Sequence, residues 1–271
     1  MLFVCFKERF LMCAPYRLIN KIIWKNSLMK HLFKITLAIA LYLPVSSYAD
    51  NQKIKILPLG DSITCASKYK ESYRYPLWKH LVDAGKGKQI EFIGSQIKKG
   101  NNGRVWKPYK GLAFPEANEG HSGWRADQVL EGVSNAEKGL DTWIAGYRPD
   151  IALIHLGTND VYQSQSPEST RDEIEQIILK LRNKNPKIKV LLAKIIPMRM
   201  DNGVPRLNRL LTQLVIKLNT TQSPVVSVDM YSGFSINTDM QKDKIHPNAK
   251  GEKKMAKRWF DALISHHFLS K

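Results

Sequence analysis

Cysteine is scarce in this sequence. Of 271 residues only three are cysteine, and Cys5 and Cys13 sit near the start. From residue 50 onward Cys65 is the one thiol, so no internal disulfide can form there and packing alone must hold the core. No histidine or cysteine spacing matches a zinc site, and no metal or other cofactor is expected. Glycine and proline are also few, 16 and 13, which excludes collagen-like and low-complexity chains. Acidic residues are in deficit: 42 Lys and Arg face 24 Asp and Glu, a formal charge of +18. That charge favours anionic surfaces in a salt-dependent way but names neither fold nor reaction. No RNA- or DNA-binding signature accompanies it, so nucleic acid is not an expected partner.

Long apolar runs are missing as well. Residues 35–43 form an apolar stretch too short for the roughly 20 residues that span a bilayer. With Lys30 and Lys34 before it and Ser47-Tyr48-Ala49 after it, this stretch reads as a cleaved export signal over residues 29–49 rather than a membrane anchor. The mature protein is then expected to begin near Asp50 and to be periplasmic or extracellular, with no stable membrane anchor. Residues 1–28 have mixed charge, Cys, Pro and no clean periodicity. They fit an extension upstream of a true start at Met29; an unusually long signal or a membrane-surface helix is the alternative. Without residues 1–49, 35 basic and 23 acidic residues remain, about +12. Residues 50–271 suffice for one globular domain, since a chain of that size buries roughly 70% of its unfolded surface.

What is present is alternation. Residues 53–59 (KIKILPL), 89–94 (QIEFIG), 150–156 (DIALIHL), 187–196 (KIKVLLAKII) and 224–230 (PVVSVDM) read as strands. The nearly unbroken run at 150–156 suits a central strand covered on both faces, with His155 a core histidine. Helices lie between the strands. Ile174, Ile177, Ile178 and Leu181 recur on one helix face in a segment opened by Pro167 and ended before Pro186. The final helix places Met255, Trp259 and Leu263 four apart and turns Lys253, Lys254 and Lys257 to solvent, with His266 and His267 exposed beyond them. This pattern predicts an α/β three-layer sandwich around a mainly parallel, five-stranded sheet, whose ligands bind at the carboxyl ends of the strands.

Three loops at that edge carry chemistry-bearing residues: Gly60-Asp61-Ser62, Gly157-Thr158-Asn159-Asp160, and DKIHPN at 243–248. Pro247 keeps His246 out of helical dihedrals and suits the first position of the next helix. Asp243, three residues earlier, is one turn from the imidazole, the arrangement of a histidine oriented by a carboxylate. Ser62 alone is either a nucleophile or a turn serine.

GDSIT (60–64), GHSGW (120–124), GTND (157–160) and DKIHPN stand in the order and spacing of the GDSL or SGNH hydrolases. The sequence resembles most their carbohydrate-esterase branch, which includes acetylxylan esterases, over residues 53–262. The resemblance implies a flavodoxin-like SGNH hydrolase fold and assigns Ser62 as nucleophile, His246 as general base and Asp243 as its orienting acid. It further implies an oxyanion hole from the N–H groups of Ser62 and Gly123 and the side-chain amide of Asn159. Asp61, His121 and Trp124 become candidate substrate contacts. For Asp61 a turn-stabilising role, and for His121 shaping of the oxyanion loop, are the alternatives. Two departures from the family pattern stand out. Relatives commonly carry a glycine shortly after the GDSIT run, where this chain has Cys65-Ala66, with Cys65 read as a buried small residue, and many carbohydrate members have a glycine where Lys244 lies.

The expected activity is removal of short acyl groups, chiefly acetyl, from an acetylated glycan. No broad apolar cap or amphipathic lid favours long-chain lipids. The long connection at 95–120 offers Trp106, Tyr109 and Phe114 near Trp124, either as surface for sugar rings or as packing for the loop itself. The alternatives are a lysophospholipase or thioesterase of the same fold and a non-catalytic glycan- or anion-binding module.

Overall fold

A computed structural model describes residues 52–65, 72–97, 106–199 and 203–270. The expectations for residues 1–49, for a start at Asp50 and for Ala66 fall outside them. In chain order the elements are β1 (Ile54–Gly60), α1 (Ser62–Cys65), α2 (Arg74–Asp83), β2 (Ile90–Phe92), β3 (Glu119–Gly120), α3 (Ala126–Glu131) and α4 (Leu140–Ala145). There follow β4 (Ile151–His155), α5 (Thr158–Tyr162), α6 (Pro167–Lys184), β5 (Lys189–Lys194), α7 (Val204–Leu218), β6 (Val225–Asp229) and α8 (Ala249–Ser265).

The sheet runs β2-β1-β4-β5-β6, every pair parallel, with β3 added beside the tip of β1. The sequence reading gave five strands; the sixth, β3, is two residues long, too short to leave a periodic signal. Without it the order is the flavodoxin-like 2-1-3-4-5, and the direction of winding reverses between β1 and β4. A crevice opens at such a reversal, outside the carboxyl ends of the two strands.

Period-two alternation sorts the strands' side chains between two apolar layers. Ile54, Ile56, Ile151, Leu153 and Leu191 face α2 and α8 on one side. Leu57, Leu59, Ala152, Ile154, Val190 and Leu192 face α3, α4, α6 and α7 on the other. In α6 the Ser166 hydroxyl accepts the Ser169 N–H at 3.1 Å and Pro167 opens the first turn, while Ile174, Ile177, Ile178 and Leu181 are wholly buried. Helix α7 follows the same rule through Leu207, Leu211, Leu214 and Leu218.

Pro58 lies inside β1, a strand with neighbours on both sides, where proline is rare. Its position resolves the conflict. The Ile54 N–H donates to Gln89 O, Ile56 O accepts from Ile93 N–H and Gly60 O accepts from His121 N–H, so even-numbered peptide groups face β2 and β3. Pro58 falls between the stretch paired with β2 (54–56) and that paired with β3 (59–60), where no ladder donor is required.

Candidate active site

Ser62 opens α1 at the tip of β1 and is half-buried. Gly60 permits the turn through close approach: a Cβ there would lie 2.3 Å from the His155 carbonyl oxygen. Asp61 closes it. The Asp61 carbonyl accepts the N–H groups of Thr64 and Cys65 at 3.1 and 3.0 Å, and its Oδ1 accepts the Ile63 N–H at 2.9 Å. Asp61 is fully buried, so its expected contact with substrate is corrected: the side chain caps α1 from below. Burial pushes this carboxyl up to about 7, against the pull of the Ile63 N–H. Cys65, expected to be buried, is half-exposed, with Sγ 3.7 Å from the Ser62 carbonyl oxygen.

His246 arrives from 184 residues downstream, and its Nε2 lies 2.8 Å from Ser62 Oγ. Its Nδ1 donates to Asp243 Oδ2 at 2.9 Å, which leaves the Nε2 lone pair facing the serine hydroxyl. Asp243 Oδ1 accepts the N–H groups of Ile245 and His246, both at 3.0 Å. Partial burial pushes the Asp243 carboxyl up, but these two N–H groups and the imidazole together hold it below the ordinary carboxylate value. The helix after His246 starts later than the sequence suggested. Asn248, not the residue before Pro247, is the N-cap, because its Oδ1 accepts the N–H groups of Lys250 and Gly251 at 2.9 and 3.2 Å. Pro247 therefore precedes the cap instead of occupying the first helical position.

Gly123 is exposed and stands at φ +84°, a conformation that favours glycine. It is the third residue of a β-turn closed by the Trp124 N–H donating to His121 O at 3.2 Å. Asn159, at the start of α5, donates Nδ2–H to the Trp124 carbonyl at 2.9 Å. Among the described residues, the Ser62 and Gly123 N–H groups donate to no other group. His121 is buried and hydrogen-bonds Glu119, a position that suits the shaping of the loop. Trp124 is half-buried beside it.

The aromatics of 95–120 divide. Trp106 and Phe114 are buried against Tyr75, at centroid distances of 4.8 and 5.3 Å, and Tyr109 bonds Asp83 at 3.0 Å. They pack the loop. Among the described residues no three His, Cys, Asp or Glu are placed to hold a metal ion.

Sequence reasoning passed over Arg74. Its buried guanidinium donates to the carbonyls of Thr64, Cys65 and Glu116 at 2.8, 3.2 and 2.7 Å, clamping the end of α1. No local pattern marks it, since two of its partners are nine and ten residues back and the third 42 residues ahead.

The chain matches the profile of the GDSL-like lipase/acylhydrolases over residues 56–259. It is similar to a solved carbohydrate esterase family 3 from Talaromyces cellulolyticus, 30% identical, with a TM-score of 0.68 over 79% of this chain and 97% of that one. An acetyl esterase mutant solved with an acetate ion is 29% identical, with a TM-score of 0.68 over 79% and 97% of the two chains. A multidomain esterase of Ruminococcus flavefaciens is 26% identical over 227 residues, 78% of this chain and 28% of that protein. The chain thus spans little more than a quarter of that relative's length.

Proposed function

The chain belongs to the GDSL-like lipase/acylhydrolase family, a class of ester hydrolases, and from that premise we propose that it is a serine esterase that removes short acyl groups, acetyl foremost, from a polysaccharide or oligosaccharide. The observation that carries the reading is the continuous chain from Ser62 Oγ to His246 Nε2 at 2.8 Å and from His246 Nδ1 to Asp243 at 2.9 Å. A serine hydroxyl is a weak nucleophile until a neighbouring base takes its proton.

In the first step Ser62 Oγ attacks the ester carbonyl while its proton passes to His246 Nε2. Asp243, held as a carboxylate, stabilises the imidazolium that forms. The tetrahedral oxyanion is met by the N–H groups of Ser62 and Gly123 and by the Asn159 amide; loss of one such donor costs about 10²–10³ in rate. The alcohol departs with the proton from His246, leaving an acyl group on Ser62. Water then attacks the acyl carbon as its proton passes to His246 Nε2; the bond to Ser62 Oγ breaks, Oγ takes that proton back from His246, and the acid leaves.

The likeness to the acetyl esterase and to the family 3 carbohydrate esterase supports acetyl and carbohydrate as the two halves of the substrate. The test is hydrolysis of acetyl, butyryl and octanoyl aryl esters and of acetylated xylan, with Ser62→Ala as control. Acetyl release that vanishes in Ser62→Ala supports the reading. Preference for octanoyl moves the protein to a lysophospholipase or thioesterase, and glycan binding without hydrolysis of any ester makes it a binding module. Export completes the proposal: the apolar run at 35–43 and the small residues at 47–49 predict a secreted form whose N-terminal sequencing reads from Asp50. No helix among the described residues is long and apolar enough to cross a membrane.

A further inference from the structure

Gly123 is exposed, and the space where a side chain would stand is open, so nothing packs directly against it. The direction of its N–H must therefore be set by its neighbours in the turn. Two residues before that turn lies Glu119, whose side chain has no exposed surface. A buried carboxyl group is costly unless hydrogen bonds replace its lost water. Here four converge on it: Oε1 accepts Ser95 Oγ–H at 2.5 Å and His121 Nε2–H at 2.8 Å, and Oε2 accepts the Ser95 N–H at 2.8 Å and the Tyr147 hydroxyl.

The His121 ring is also packed by two indoles that touch each other, their centroids 5.8 Å apart. Trp143 stacks on it at 4.1 Å and 9°, and Trp124 lies at 4.6 Å and 32°. Its backbone N–H donates to Gly60 O at 2.9 Å, beside the turn that carries Ser62, and its carbonyl accepts the Trp124 N–H that closes the turn around Gly123. Trp124 in turn holds Asn159 through its carbonyl. A single support thus lies behind both Gly123 and Asn159.

We propose that Glu119, acting through His121, is a positioning residue that aims the Gly123 N–H and the Asn159 amide at the reacting carbonyl. This rests on the esterase reading. A donor displaced by a fraction of an ångström loses strength where charge develops in the transition state but barely alters substrate affinity.

The test uses the full-length protein and an aryl acetate. His121→Leu removes the donor to Glu119, whereas His121→Gln places an amide N–H close to where imidazole Nε2–H stood. For His121→Leu the expected result is a fall in kcat of roughly ten- to hundredfold with KM within about twofold, since misplacement of about 1 Å costs on the order of 10². His121→Gln should recover most of the loss. In parallel, hydrogen exchange of the Trp124 N–H should quicken in His121→Leu and return to the wild-type rate in His121→Gln. If His121→Leu does not fold, Glu119→Gln, equal in volume, carries the same measurements. Wild-type kcat in the folded variant, or Trp124 exchange that does not change, overturns the positioning role. A wild-type protein that cleaves no ester overturns instead the esterase reading, and the exchange measurement tells the two failures apart.

Discussion

Asp61 sets a measurable pH dependence from one residue away from the proposed nucleophile. Its folded value of about 7 lies above the unfolded 3.8, so the folded state holds this proton longer than the unfolded chain does. The stability it contributes is therefore complete below about pH 4 and is lost as pH rises to about 7, on the order of 4 kcal/mol at 1.36 kcal/mol per unit. His155 acts in the opposite sense. Burial pushes it down to about 4 from 6.5, so stability from this group grows over that interval as pH rises, while Asp160, pushed by burial up to about 6, acts in the same sense as Asp61, and the wild-type profile mixes the three. Asp61→Asn keeps the acceptor for Ile63 N–H and isolates the first. The variant should match wild type near pH 4 and exceed it by a few kcal/mol at pH 8 in urea unfolding; a difference constant with pH would refute this. At Gly60 the constraint is space. A methyl group 2.3 Å from the His155 carbonyl and 2.5 Å from Thr64 Oγ1 must push β1 from β4, so Gly60→Ala should cost at least about 2–3 kcal/mol by thermal unfolding.

At the scale of elements, the connection from β6 to α8 carries Asp243 and His246 and is tied at its end by one side chain. Asn248 caps α8 through Oδ1 and donates Nδ2–H to Thr238 O and Met240 O, both at 3.0 Å. Asn248→Ala should lower stability by about 1–2 kcal/mol and also reduce kcat, because His246 lies two residues upstream of the cap. The kcat loss should persist at temperatures where the variant is fully folded by circular dichroism. Within the same loop Lys244 sits at φ +58°, where a side chain costs about 1–2 kcal/mol. Lys244→Gly removes that strain and should raise the unfolding midpoint by the equivalent of about 0.5–1 kcal/mol after glycine's own entropic cost. A drop in midpoint would show that the Lys244 Nζ bond to Ile236 O, 3.3 Å, outweighs the strain.

Charge acts at the scale of the whole molecule. Residues 50–271, at about +12 and with exposed lysines, attract acidic polymers over a Debye length of about 8–10 Å at 0.1–0.15 M salt. With an acetylated glycan that bears uronic acids, kcat/KM should fall several-fold between low and high salt, while hydrolysis of a neutral aryl acetate stays level. Equal salt response of the two substrates would show that the charge plays no part in substrate capture. The strand and helix order was legible because spacing is a property of chain neighbours: the alternation at 53–59, the run at 150–156 and the helix face of Ile174 to Leu181 are written within one element each. The three loops bearing Ser62, Asn159 and His246 were legible for the same reason, since each follows a strand whose end the sequence marks. Helix α7 carries the same kind of local signal in Leu207, Leu211, Leu214 and Leu218. Strand β3, at two residues, left no pattern to read. Tertiary structure alone decided that Asp61 faces inward rather than toward substrate, that Arg74 clamps α1, and that Glu119 gathers Ser95, His121 and Tyr147. Those outcomes depend on burial and on partners as far as 42 residues along the chain, which only the packing of β1 against β3 and β4 brings together.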